Sequence, residues 1–183
     1  MLSGAKYSGV LQVLNLGCGN ETYGTHRVDK RQTASTTHVF DVEEGLQFKE
    51  GSFNEIYERN LLEHLTNPGF HLQECHRVLK IGGSITLITD NASCMRYYVL
   101  GTHTGRYKGH RRYFSDNGDR HFAIFTKEHL KNLFEDAGFT ILSMSYVDTD
   151  FTPTKYLDRV MRSLHVFPLL SYPRIKIVAQ KFR

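Results

Sequence analysis

Short apolar runs alternate with helical stripes along the first half of the chain. Val10–Leu16 is an apolar run that stops at Gly17-Cys18-Gly19. Gly24–Asp29 and Thr37–Asp41 have the pattern of further strands, each ending in an acid. Phe53–Glu58 predicts a fourth strand, and Ser84–Thr89 a fifth, with the β-branched content of a buried parallel strand. Asn67-Pro68 predicts a helix start, a capping side chain followed by proline at the first helical position. Leu72, Cys75 and Leu79 then share one face, and Gly82-Gly83 predicts the helix end.

Later in the chain, Thr126 opens a helix with Leu130, Leu133, Phe134 and Ala137 on one stripe. Gly138 closes it and Phe139–Tyr146 follows as a strand. Pro153–His165 predicts a last helix, with Leu157, Val160, Met161 and Leu164 on one face and Lys155, Arg159 and Arg162 on another. Arg174–Phe182 predicts the final strand. Alternating strands and helices with short connections imply an α/β, Rossmann-like fold. The expected sheet is doubly wound and mostly parallel, of about seven strands with helices on both faces. A length of 183 residues suits a single domain, 1–183. One stretch breaks the rhythm. Arg96–Phe122 is rich in Gly, His, Arg and Tyr without a clear period, as a segment facing substrate would be.

Charge is unevenly spread. Arg96–Lys131 and Phe151–Arg183 together hold 15 Lys/Arg and 4 Asp/Glu, against 8 and 15 elsewhere. An acidic body thus carries two basic segments, which attract anionic partners or form ordinary solvated faces. The basic stripe of the last helix offers a surface to a membrane or to RNA, with a solvated helix face as the simpler reading. No apolar run reaches the ~20 residues of a membrane-spanning helix. The first residues lack a signal-peptide core, so the expected location is cytoplasmic. Cys18, Cys75 and Cys94 form no CxxC pair. The ten histidines are scattered, and His71 and His76 are five apart, so no metal site is expected.

In open α/β sheets, ligands bind beyond the carboxyl ends of the strands. The first predicted strand ends in Asn15-Leu-Gly-Cys-Gly, where glycines let a ligand approach the backbone closely. Asp29, Asp41 and Arg59-Asn60 end the next three. An acidic rim repels a phosphate-rich ligand and suits a cationic one.

These segments, with Leu61-Leu62-Glu63-His64-Leu65 and Val78-Leu79-Lys80-Ile-Gly-Gly, resemble the class I S-adenosylmethionine-dependent methyltransferases. The similarity is to small members with an "LNLGCG" opening and a "LEHL" segment, and covers about Val10 to Tyr146. The resemblance implies S-adenosylmethionine as cofactor. It places Asn15, Gly17, Cys18 and Gly19 at the first turn, the two glycines beside the methionine part. Asp29 is then placed on the ribose hydroxyls, Asp41 and Val42 on the adenine, and Arg59 and Asn60 beside the sulfonium. Only ten residues, Asn20 to Asp29, follow the glycine turn through the second strand end, which leaves little room for the usual first helix.

The implied reaction is in-line attack of a nucleophile on the sulfonium methyl. His64, Tyr113 and His121 are the candidate catalytic groups. The Arg and Tyr content of 96–122 favours an anionic small-molecule acceptor linked to a sugar or nucleotide, with RNA as a second class. The lid over the site is left open between that segment, the tail and a second subunit of a homo-oligomer. Two alternatives remain. A dinucleotide oxidoreductase suits Asp29, but Thr22 stands where the third fingerprint glycine belongs. A non-catalytic cofactor-binding partner subunit accounts for the short first crossover.

Overall fold

The computed structural model describes residues 11–94, 121–147 and 174–183. Its strands are β1 (Val13–Leu16), β2 (His26–Asp29), β3 (His38–Val39), β4 (Phe53–Arg59), β5 (Leu79–Asp90), β6 (Thr140–Val147) and β7 (Arg174–Gln180). Its helices are α1 (Pro68–Val78) and α2 (Lys127–Asp136). The strands form one sheet in the order β3-β2-β1-β4-β5-β7-β6. Neighbours from β3 to β5 run parallel, and β7 is antiparallel to both β5 and β6. The seven-stranded, mostly parallel Rossmann-like sheet read from the sequence is therefore the fold.

Both helix starts follow local chemistry. The Asn67 side chain accepts the Phe70 N–H at 3.1 Å ahead of Pro68, and the Thr126 hydroxyl accepts the His129 N–H at 3.2 Å. The helices touch each other and bury Leu72, Cys75, Val78, Leu130 and Phe134. Those side chains join Leu14, Leu16, Ile56, Ile85, Leu87, Ile175 and Ile177 of the sheet in one core. Each fully buried aliphatic or aromatic side chain there contributes about 1.5–3 kcal/mol. The predicted helix 153–165 and most of segment 96–122 lie outside the described residues, as does Val10. So do the membrane and RNA surfaces read from that helix. No helix of the described residues is long and apolar enough to cross a membrane.

Two details differ from the sequence pattern. First, α1 stops at Val78, and Leu79 begins β5 with extended backbone. Gly82-Gly83 lies inside that strand rather than ending the helix. Gly82 has φ +81°, and the β4–β5 register shifts beside it, between Phe53 and Glu55. The glycine signal marked a positive φ, which an irregular strand uses as readily as a helix end. Gly83 is tightly enclosed: an added Cβ falls 2.9 Å from the Lys80 carbonyl and 3.0 Å from that of Asn54. Gly83→Ala is therefore expected to cost about 1–3 kcal/mol, read from urea unfolding midpoints; wild-type stability would show that the backbone yields freely there.

Second, β3 is only two residues long. Its expected continuation turns away because the Asp41 carboxylate accepts the Glu43 N–H at 3.0 Å and caps the 3-10 turn Val42–Glu44. As the short span from Asn20 to Asp29 implies, no helix separates β1 from β2. The connection is held by cross-links instead. The Cys18 N–H donates to the Val28 carbonyl at 3.0 Å, and the Asn15 side-chain amide donates to the Tyr23 carbonyl at 3.1 Å.

A polar cluster interrupts the core between β4 and α1. The His71 Nε2 lies 2.7 Å from Glu58 Oε2, and Cys75 Sγ lies 3.5 Å from the same nitrogen. All three residues are buried, and their ligating atoms fall within 4.8 Å of one another. The sequence reading compared His71 with His76. The productive spacing was His71 to Cys75, four apart on one helix face.

Candidate functional site: a cavity at the strand ends

Between β1 and β4 the strand order reverses, so loops leaving β1 and β4 part and open a cleft. Gly17 and Gly19 carry the chain out of β1 with φ +66° and +51°, in the left-handed region that favours glycine. A Cβ on Gly19 would meet nothing within 4 Å, so its backbone borders open space. The Asp29 carboxylate ties two turns together. Its Oδ2 accepts the Gly19 N–H and its Oδ1 the Arg31 N–H, each at 2.9 Å. After β4, Asn60 has φ +54°, the one positive φ outside glycine among the described residues. Its N–H donates to the Ile88 carbonyl at 2.9 Å. Its side-chain Oδ1 is buried without a hydrogen-bond partner.

Gly17, Gly19, Asp29, Asp41, Val42 and Asn60 line one cavity of about 470 Å³. That volume falls in the ~300–1,000 Å³ range of small-molecule sites. The same cavity is also lined by Glu63, His64, Asp90, His121 and Arg174. His121 Nδ1 stands 3.2 Å from Asp90 Oδ2, and Arg174 Nε stands 3.7 Å from Asp90 Oδ1. The His64 ring meets the His121 ring edge to face at 4.5 Å. Glu63 is buried, and its Oε2 accepts the Thr89 hydroxyl at 2.7 Å. Burial, then the charge of Asp90, push its carboxyl up to about 7.

The structure thus brings together eight of the candidates read from the sequence: the six named first, with His64 and His121. Three others lie off the cavity. Asn15 and Cys18 are buried supports of the first turn. Arg59 lies beside Glu21, Nη1 to Oε1 at 3.5 Å. Tyr113 lies outside the described residues. Sequence reasoning missed Glu63, Asp90 and Arg174. Glu63 stood only within the Leu61–Leu65 segment, with no role of its own, yet it is 1% exposed. Asp90 had a usable signal, since it ends β5 as Asp29 ends β2. Arg174 had none, because its partner is set by strand pairing.

The lining combines open backbone with carboxylates. Glycines open one part of it, carboxylates stand at two strand ends, and the Asn60 carbonyl has an acceptor to offer. A switch-point cleft of this kind is where open, doubly wound α/β sheets bind their ligands. The chain belongs to the family described as "Methyltransferase domain", whose model matches residues 8–144. No curated protein matches it significantly. Among solved structures, an S-adenosylmethionine-dependent methyltransferase from Archaeoglobus fulgidus is 18% identical, with a TM-score of 0.63 over 94% of this chain and 87% of that one. One from Mesorhizobium loti is 18% identical, with a TM-score of 0.60 over 94% and 92%. A chain from the complex of the Haloferax volcanii Trm112 methyltransferase activator with a methyltransferase is 16% identical, at 0.62 over 94% and 82%. The enzyme uses S-adenosylmethionine, which when bound supplies a methyl group already activated on a sulfonium.

Proposed function

We propose that this enzyme methylates a small anionic acceptor, with the cofactor lying across the strand ends. In this reading Gly17 and Gly19 lie beside the methionine part, Asp29 accepts from the ribose hydroxyls, and Asp41 with Val42 meets the adenine. Asn60 Oδ1 accepts from the cofactor's amino-acid end. One observation carries the assignment: turns from four separate strands converge on a single cavity that holds a buried, unpartnered acceptor. Arg59, turned toward Glu21, drops out of the set proposed from the sequence.

Lys30, Arg31 and Arg174 in the cavity lining support an anionic acceptor, because guanidinium forks suit carboxylates and phosphates. A sugar- or nucleotide-linked molecule meets that requirement. Three buried cysteines without a disulfide among them support a reducing, cytoplasmic setting. The activator-bound neighbour favours a second reading, in which the chain needs a partner protein for turnover.

Calorimetry with S-adenosylhomocysteine and with NAD tests the site, and a radiolabelled-methyl assay over sugar phosphates, nucleotides, carboxylates and RNA tests the acceptor. The expected result is 1:1 binding of the homocysteine compound alone and label on an anionic small molecule. Absence of that binding rejects the cofactor site; label confined to cationic or neutral acceptors rejects the anionic class.

A further inference from the structure

We propose that Glu58, His71 and Cys75 bind a zinc ion that staples β4 to α1. The site is separate from the cofactor cavity, whose lining includes none of the three.

Two elements supply the ligands. Glu58 lies one residue before the end of β4, and His71 and Cys75 stand one turn apart on the buried face of α1. The three residues are 0%, 1% and 0% exposed. One ligating atom from each lies within 4.8 Å of the other two, and no other group of three such residues does so among the described residues. A hydrogen-bonded pair accounts for only part of this cluster. Glu58 Oε2 has His71 Nε2 beside it, but Glu58 Oε1 is buried without a hydrogen-bond partner, and so is His71 Nδ1. A buried carboxylate oxygen with no donor is costly, and in native proteins an ion or a water is a common reason for one. A cation chelated by the carboxylate satisfies both oxygens. Coordination through Nε2 also leaves the ring neutral, so the unpartnered Nδ1 N–H is no longer part of a buried cation.

The donor set selects the metal. Imidazole and thiolate suit zinc, whereas magnesium and calcium take oxygen ligands. Zinc with one chelating carboxylate, one imidazole and one thiolate has four donor atoms and no net charge, which a dry core tolerates. Bonds of about 2.0–2.3 Å at tetrahedral angles set donors about 3.2–3.7 Å apart. His71 Nε2 and Cys75 Sγ already stand 3.5 Å apart. The 2.7 Å between Nε2 and Glu58 Oε2 is the span of a shared proton, which the metal replaces. Binding releases that proton and the one on the Cys75 thiol. The Glu58–His71 ion pair is therefore the metal-free form, and its own stability and pH dependence are measured with chelator present. Enclosed by the core, the ion has no position open to substrate, so its task is structural. It anchors the strand two residues before Asn60 of the cofactor cavity.

Metal analysis of enzyme purified without chelator tests the site, together with cobalt spectroscopy after chelator treatment. One zinc per chain is expected. Cobalt should give a thiolate-to-metal charge-transfer band in wild type and in the Cys18→Ala, Cys94→Ala double variant, and the band should be lost in Cys75→Ser and in Glu58→Gln. Thermal unfolding of wild type gives a reading that needs no core variant: zinc at one equivalent raises the midpoint, chelator lowers it, and magnesium does neither. Zinc-free protein that also develops no thiolate–cobalt band overturns the proposal. So does a band that survives Cys75→Ser, which places the metal elsewhere, or a wild-type midpoint that ignores both zinc and chelator.

Discussion

Glu58→Ala is expected to destabilise the enzyme by about 3–5 kcal/mol, the usual cost of removing one member of a buried charged pair. Glu58 is fully buried and His71 is 1% exposed. The His71 Nε2 lies 2.7 Å from the Glu58 carboxylate, and its Nδ1 is buried without a partner. Removing the acid leaves the ring with Cys75 alone. The pH dependence identifies the pair. Burial opposes charge on His71, but Cys75 and Glu58 outweigh it and hold the ring well above the ordinary histidine value. Burial pushes the Cys75 thiol up, while the neighbouring His71 draws it down. A group whose pKa rises on folding adds stability that is complete below the unfolded value, ~6.5, and fades as pH climbs through the folded value. Urea unfolding at pH 6 and at pH 9 checks this: the gap between wild type and Glu58→Ala should narrow at the higher pH. Replacing both residues together, Glu58→Leu with His71→Leu, should recover most of the loss. An equal gap at both pH values would sink the ion-pair account.

Asp29→Ala is expected to weaken S-adenosylhomocysteine binding about 100-fold. Its carboxylate has two tasks. It already fastens Gly19 and Arg31 through their N–H groups. Each oxygen still has a second lone pair, and the residue borders the cavity. Hydrogen bonds to a charged group are worth about 1.5–3 kcal/mol each, so losing two toward a ribose diol removes at least two orders of magnitude in affinity. Slackening of the glycine turn acts in the same direction. Asp41→Ala should cost about tenfold, since it also frees the cap of the 3-10 turn beside Val42. Calorimetry on both variants reads these values directly. Unchanged affinity in both would remove the carboxylates from the site.

The positions of Gly17, Asp29, Asp41 and Asn60 along the chain were legible because each follows a strand whose apolar run is local. The two helix starts were legible for the same reason, since Asn67-Pro68 and Thr126 satisfy backbone N–H groups only a few residues away. The end of α1 was misread at Gly82-Gly83, where one backbone conformation serves two kinds of structure. Arg59 and Asn60 show how far local reading reaches. They are neighbours and looked equivalent, but alternation along β4 sends Arg59 toward Glu21, while a left-handed backbone turns Asn60 into the cavity.

Sequence by itself therefore determined the described strands and helices, their order along the chain, and the glycines and acids that end the parallel strands. These follow from periodicity and turn chemistry, which act over a few residues. Only the tertiary structure decided that Asp90, His121 and Arg174 meet beside Glu63 and His64, and that Glu58 is buried against His71. Those neighbours come from separate stretches of chain, and strand order and register, not spacing along the sequence, set which of them touch.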